Sequence, residues 1–126
     1  MSGRLFDPVL STLSQSLNLR MQQHGLSTSN IANSETPQYR ARRLDFEAAF
    51  DKVLNAASEG EKVDAGDVHQ AVDEIDAPAW SEDGNSVNPD EEMSVMVTNN
   101  MLFNATVEVM NRRLAMLEYA ATDGGK

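Results

Sequence analysis

The sequence predicts a mainly α-helical protein, with two long terminal helices forming a coiled-coil-like pair and a short helix plus a small, partly β insert between them. Three observations lead there. Apolar residues gather near both ends of the 126-residue chain and recur at alternating spacings of three and four, the pattern of a helical seam. Each end also carries a proline-led helix start, Asp7-Pro8 and Asn88-Pro89. There the cap side chain accepts from orphan N–H groups, and proline at the first helical position forfeits no hydrogen bond. The middle, 44–92, is crowded with Asp and Glu and interrupted by glycine and proline, which suits a solvated insert.

The first helix is expected from Asp7 to about Asn33. Phe6, Leu10, Leu13 and Leu17 form its seam, widened by Val9, Leu19, Met21 and Leu26. Gly25 weakens a helix by about 1 kcal/mol relative to Ala and marks a break or a close contact. The small polar run Ser27 to Ser34 predicts fraying. Thr36-Pro37 stops the helix, because a residue before proline is biased toward extended conformations, so 36–43 is a loop or short strand. Leu44 to Ala57 reads as a short helix capped by Asp45, with Phe46, Phe50, Val53 and Leu54 on its apolar face. Two or three short strands fit 58–88. Asp83-Gly84-Asn85 would close a hairpin, and Trp80, the single tryptophan, would pack on the helix at Phe46 to Leu54.

The last helix has the clearest start, since Asn88-Pro89-Asp90-Glu91 is a capping-box arrangement. Met96, Asn100, Phe103, Val107, Met110, Leu114, Leu117 and Ala121 then keep the four-three spacing until Asp123-Gly124-Gly125. A helix of about 33 residues is roughly 50 Å long at ~1.5 Å per residue, too long for a compact domain of this size. Asn100 interrupts the seam, where a buried amide would fix register or partner. In the alternative, Met101 is buried and Asn100 faces out, with Asn99 a second amide. The seven methionines suit interfaces that repack. The chain thus divides into an N-terminal helix (1–36), a middle part (37–87) and a C-terminal helix (88–126).

The net charge of −10, from 20 acidic and 10 basic residues, repels phosphate backbones and argues against nucleic acid. Arg40, Arg42 and Arg43 form the only basic cluster and are expected to pair with the chain's own carboxylates. With no cysteine there are no disulfides or thiolate sites. Met1 to Leu10 lacks the apolar run and cleavage pattern of a Sec-type signal peptide, and no stretch approaches the ~18 apolar residues of a membrane span. His24 and His69 stand alone, and no Gly-rich phosphate loop occurs. Asp83-Gly84-Asn85 fails as a calcium loop because Val87 sits where an oxygen ligand belongs. The expectation is therefore no enzyme, no cofactor, no metal and no small-molecule substrate. By composition alone, a small acidic protein-binding module remains the alternative to an assembly subunit.

One motif is specific. Asn30-Ile31-Ala32-Asn33-Ser34-Glu35-Thr36-Pro37-Gln38-Tyr39-Arg40-Ala41 resembles the N-terminal signature of the flagellar rod, hook and hook-associated axial proteins. That signature reads Asn, Ile or Leu, Ala, Asn, two variable residues, Thr-Pro-Gly-Tyr, Lys or Arg, then Ala. Gln38 stands where most members carry glycine, the residue suited to a positive-φ backbone. Arg43-Leu44-Asp45-Phe46, and Asp83-Gly84-Asn85-Ser86-Val87 leading into Glu92-Met93, resemble the proximal rod members. The sister rod protein FlgC is the rival, but Val87-Asn88-Pro89-Asp90 matches its Asn-Val-Asp motif poorly.

The resemblance implies a structural subunit of the proximal rod, exported unfolded through the flagellar type III apparatus without signal cleavage. Its terminal helices would form the inner tube of a hollow, helically assembled structure that transmits torque and lines the export channel. The middle would form a small outer domain. Implied partners are copies of itself, other rod proteins, the adapter protein FliE, the membrane ring and the export gate, in the periplasmic part of the basal body. The expected assembly interface combines Leu10, Leu13 and Leu17 with Asn30, Ile31, Asn33, Thr36, Pro37 and Tyr39 of the signature. The last helix adds Asn100, Phe103, Val107, Met110, Leu114 and Leu117.

Overall fold

The computed structural model describes residues 7–61 and 68–122; Phe6 and Asp123-Gly124-Gly125, invoked above, lie outside them. Five elements follow in order: helix α1 (Pro8–Ala32), strand β1 (Arg42–Leu44), helix α2 (Phe46–Glu59), strand β2 (Val72–Glu74) and helix α3 (Pro89–Ala121). The chain is mainly helical, with two long terminal helices and one small sheet. Helix α1 is the common support, packing against α3 along one side and against β1 and α2 along another.

The helix starts follow local chemistry. The Asp7 carboxylate accepts from Val9 N at 3.1 Å and Asp45 from Ala48 N at 3.0 Å, while Asn88 Oδ1 accepts from Asp90 N and Glu91 N. Because Asp45 caps α2, Leu44 closes β1 instead of opening the helix, and α2 runs on to Gly60, whose φ of 73° suits a glycine C-cap. The fraying expected at Ser27 to Ser34 does not occur. Ser27 and Asn30 are fully buried and hydrogen-bonded, so tertiary contacts carry α1 through to Ala32. Gly25 neither breaks the helix nor admits a close neighbour, since a Cβ there would meet nothing within 4 Å.

Among the described residues the middle holds a single sheet, β1 antiparallel to β2, with Arg42 opposite Glu74 and Leu44 opposite Val72. The apolar core lies between this sheet, α1 and α2: Leu19, Leu44, Ala49, Val53, Val68 and Ala71, flanked by Phe46 and Phe50 stacked 5.7 Å apart. These residues already fill the inner face of α2, and Trp80 does not pack there as expected. It is 81% exposed.

Helix α3 has the expected 33 residues. It runs antiparallel to α1: Arg113 pairs with Asp7, and Asn99 Nδ2 donates to the Arg20 carbonyl at 2.8 Å. This register places Leu10, Leu13 and Leu17, all half-buried, level with Met110, Val107 and Phe103. The seam amide is therefore Asn99, 5% exposed, and not Asn100; both Asn100 and Met101 face outward. The inward face follows 92, 96, 99, 103, 106 or 107, 110 and 113, a heptad offset by one residue at the amide from the periodicity read above. Leu114 and Leu117 prolong this face beyond the Asp7–Arg113 pair and are 48% and 38% exposed.

The Arg113 hydrogen bond, helped by Val9 N–H and the Arg113 charge and opposed by desolvation, holds the Asp7 carboxyl below its ordinary value of 3.8. A depressed folded-state pKa stabilises the pair above the unfolded value, and that contribution fades as pH falls through the lower folded value. The pair should therefore persist at pH 5 and weaken only below the usual carboxylate range. An NMR titration of the Asp7 carboxyl should give a midpoint under 3.8 that Arg113→Gln returns toward it. Leu19→Ala should cost about 2–5 kcal/mol in urea unfolding, as a large-to-small change in the core. Leu114→Ala should cost less, about 1 kcal/mol or under, because that side chain is already 48% exposed.

Candidate functional site

The signature folds into a polar joint at the end of α1. Asn30 is its hub, 0% exposed: its Nδ2 donates to the Arg42 carbonyl at 2.8 Å, and its Oδ1 accepts from Arg42 N at 3.0 Å. Tyr39 Oη also donates to Asn30 Oδ1 at 3.2 Å and meets Ser29 Oγ. Two turns earlier on α1, Gln23 Oε1 accepts from Leu44 N at 2.8 Å, and its Nε2 is held by Ser27 Oγ. Residues of β1 thus alternate in their bonding. Arg42 and Leu44 bond to amide side chains of α1, while the flanking Ala41 carbonyl and Asp45 N–H bond toward Ile75 and Ala71 on the β2 side. Helix α1 takes the place of a neighbouring strand, leaving neither edge of β1 unpaired.

The chain turn at the end of α1 is closed from a distance. The last turn of α1 has no basic residue to offset its terminal carbonyls. Instead Asn85 Nδ2 donates to the carbonyls of Asn33 (2.9 Å), Ser34 (3.1 Å) and Thr36 (2.7 Å). Asn85 is itself set by two side-chain turns: Asp83 Oδ1 accepts from Asn85 N, and Asn85 Oδ1 accepts from Val87 N at 2.7 Å. So Asp83-Gly84-Asn85 has the expected turn chemistry but closes no hairpin; it docks on the signature. Gln38 is the contact point. Its N–H donates to the Asp83 carbonyl at 2.8 Å, and it keeps φ of 61°, the one non-glycine positive φ among the described residues. The backbone demand of the motif survives the replacement of glycine, at a strain cost.

A charged contact joins this joint to α3. Arg43 donates to Glu91 Oε1 and to Glu92 Oε1, both at 2.9 Å. Burial alone would lower the Arg43 pKa, but the hydrogen bonds and charges of the two glutamates outweigh it, so the pKa is raised and the guanidinium stays charged. Glu91 therefore faces Arg43; among the described hydrogen bonds it makes none to the Asn88 N–H that a full capping box would require. Arg40 pairs with Asp76, so two of the three clustered arginines meet carboxylates as expected.

The expected interface residues fall into three groups. Asn30 is buried, and Asn33 and Tyr39 bond within the chain: Asn33 Nδ2 reaches the Ser29 carbonyl and its Oδ1 accepts from Thr36 Oγ1. Leu10, Leu13, Leu17, Ile31, Phe103, Val107 and Met110 are half-buried. Thr36, Pro37, Asn100, Leu114 and Leu117 are exposed. Sequence reading missed Gln23 and Asn85 as structural amides and gave Asn99 only as a second amide beside Asn100. The signal for the first was present: Gln23 and Asn30 lie seven residues apart, on one helix face.

No protein-family model matches this chain. Among curated proteins, the flagellar basal body rod protein FlgB of Cereibacter sphaeroides is 30% identical over 118 residues, covering 89% of this chain and 92% of that protein. This chain belongs to the FlgB family. The FlgB of Salmonella typhimurium is 29% identical over 126 residues (86% of this chain, 88% of that protein), and that of Bacillus subtilis 26% over 126 residues (95% and 98%). Relatives that match over nearly their whole length carry the assignment through the middle part, where the motifs above were silent. No helix among the described residues is long and apolar enough to cross a membrane.

Two substitutions where the loops of Gln38 and Asn85 meet should act in opposite directions. Asn85→Ala strips the shared donor from three carbonyls and should cost about 1–3 kcal/mol. Gln38→Gly relieves the positive φ at some cost in chain entropy and should stabilise by up to about 1 kcal/mol. Urea midpoints of the two variants, at unchanged m-value, check both.

Proposed function

We propose that this chain is a structural subunit of the proximal flagellar rod that assembles helically through its terminal helices. The observation that carries the reading is the unequal use of α3. Its inner face is covered by α1, while Met93, Val97, Met101, Met116 and Tyr119 are each more than half exposed. A soluble monomer rarely keeps so many large apolar side chains on one helix without a partner for them. Head-to-tail contacts that do not close into a ring would bury them in a filament. Residues 1–36 and 88–126 then form the inner axial part, which transmits torque and lines the export channel, and 37–87 forms the outer part.

The resemblance of the signature supports the remaining assignments. The subunit passes through the type III apparatus without signal cleavage and sits in the basal body. It meets copies of itself, other rod proteins, the adapter protein FliE, the membrane ring and the export gate. Of the expected interface residues in the signature, Thr36 and Pro37 are the exposed ones and would touch a neighbour, whereas Asn30 is buried and positions them.

Leu114→Glu places a charge on the exposed end of the seam without touching the core. Cells carrying it should be non-motile and still release the subunit into the medium, as read by immunoblot of culture supernatant and of detergent-extracted basal bodies. Normal motility would overturn the assembly reading.

A further inference from the structure

Arg20 stands apart from the other arginines of α1, β1 and α3. Arg43 and Arg113 are half-buried and paired with carboxylates, and Arg112 pairs with Glu108 at the surface. Arg42 is exposed to water. Arg20 is half-buried, and among the described residues no carboxylate bonds to it. Its guanidinium lies 3.7 Å from the centroid of the Phe46 ring, and its buried Nε has no acceptor. Burial lowers its pKa, the signature of a cation held where solvation is poor. A guanidinium that water reaches poorly gains from a counter-charge brought to it.

The space beside it is built to take one. Arg20, Phe46 and Asn99 line a cleft of about 370 Å³ between α3 and the β1–α2 corner, far more than the ~30 Å³ share of one water molecule. Arg43 and Glu91 line it too, but they neutralise each other in an ion pair at 2.9 Å, which leaves Arg20 as the uncompensated charge of the lining. Asn99, 95% buried, also lines the cleft, and its Oδ1 has no donor. Ser94 and Thr98, one turn apart on α3, bring two hydroxyls to its rim. The chain meanwhile carries an excess of acid, and carboxylates such as Glu47, Asp51, Glu82 and Glu118 are exposed without an ion pair among the described residues. Charge complementarity therefore favours another copy of this acidic chain as the source of the missing carboxylate.

We propose that the Arg20–Phe46 cleft receives an acidic side chain from a second copy of this chain, with the guanidinium stacked on Phe46 gripping the carboxylate and the Ser94 and Thr98 hydroxyls completing its shell. Asn99 then finds its donor in the incoming segment. This rests on the assembly reading above and adds which surface takes a neighbour and by what chemistry. Stacking on an aromatic ring pre-orients the planar donor fork, so lysine is a poor substitute.

The test uses the full-length chain concentrated until it self-associates, followed by sedimentation velocity. R20Q should keep the wild-type melting temperature within a few degrees and shift the association midpoint at least tenfold upward; R20K should fall between. R20K also offers an amine for zero-length carbodiimide coupling in a mixture of isotopically light and heavy protein. Peptides joining the introduced amine of one isotope to an acidic residue of the other are the expected product. Couplings confined to one isotope, such as to Glu91 of the same chain, would overturn the proposal, as would R20Q assembling like wild type. If R20Q unfolds, the isotope-mixed coupling in R20K decides alone. If the wild-type chain never associates, the assembly reading fails and the cleft proposal with it.

Discussion

The amide of Asn30 is the contact on which the remaining geometry depends. Bonded to both the N–H and the carbonyl of Arg42, it fixes where the chain lies once it has turned back from α1. That placement sets Leu44 within reach of Gln23, seats β1 beside β2, and brings Leu44 onto Leu19, Ala49 and Val53. It also points Arg43 at Glu91 and Glu92, through which the start of α3 is tied to the joint. An apolar residue at position 30 would leave both groups of Arg42 without partners inside the fold, a loss larger than the net worth of either hydrogen bond.

The two halves of the molecule are held by different physics. The middle part has a dry core of small and medium apolar residues under α2, and its polar joint is almost fully satisfied. The helix pair is thinner: apart from Leu19 its large apolar residues are half-buried at most, and polar contacts at Asn99 and at Asp7–Arg113 hold its register. The side chains left with an unpartnered buried atom, Arg20, Arg43, Glu92 and Asn99, all belong to elements meeting at the α1–α3–β1 junction. Among the described residues the unsatisfied buried side-chain atoms thus gather at one junction, the surface that the cleft proposal assigns to a second copy.

Much of this was legible in the sequence where the cause is local. Proline-led starts, the caps at Asp7, Asp45 and Asn88, and the 33-residue span of the last helix depend on residues a few positions apart. The fraying expected at Ser27 to Ser34 followed propensity, and burial overrode it. The expected place of Trp80 against α2 rested on hydrophobicity alone, which cannot tell an unfilled face from one already taken by Val68 and Ala71.

By itself, then, the sequence determined the two long terminal helices, their capped starts and, through the Asn30 to Ala41 motif, the kinship with axial proteins. Only the tertiary structure decided which amide is buried in the seam, Asn99 and not Asn100, and what the signature asparagines do. The physical reason is range. A cap or a heptad is settled within two turns, whereas Asn30 finds its partner 12 residues away, Asn85 about 50, and Asn99 its carbonyl 79 residues away. An amide bonds equally well to any peptide group brought within 3 Å, so its type alone does not name its partner.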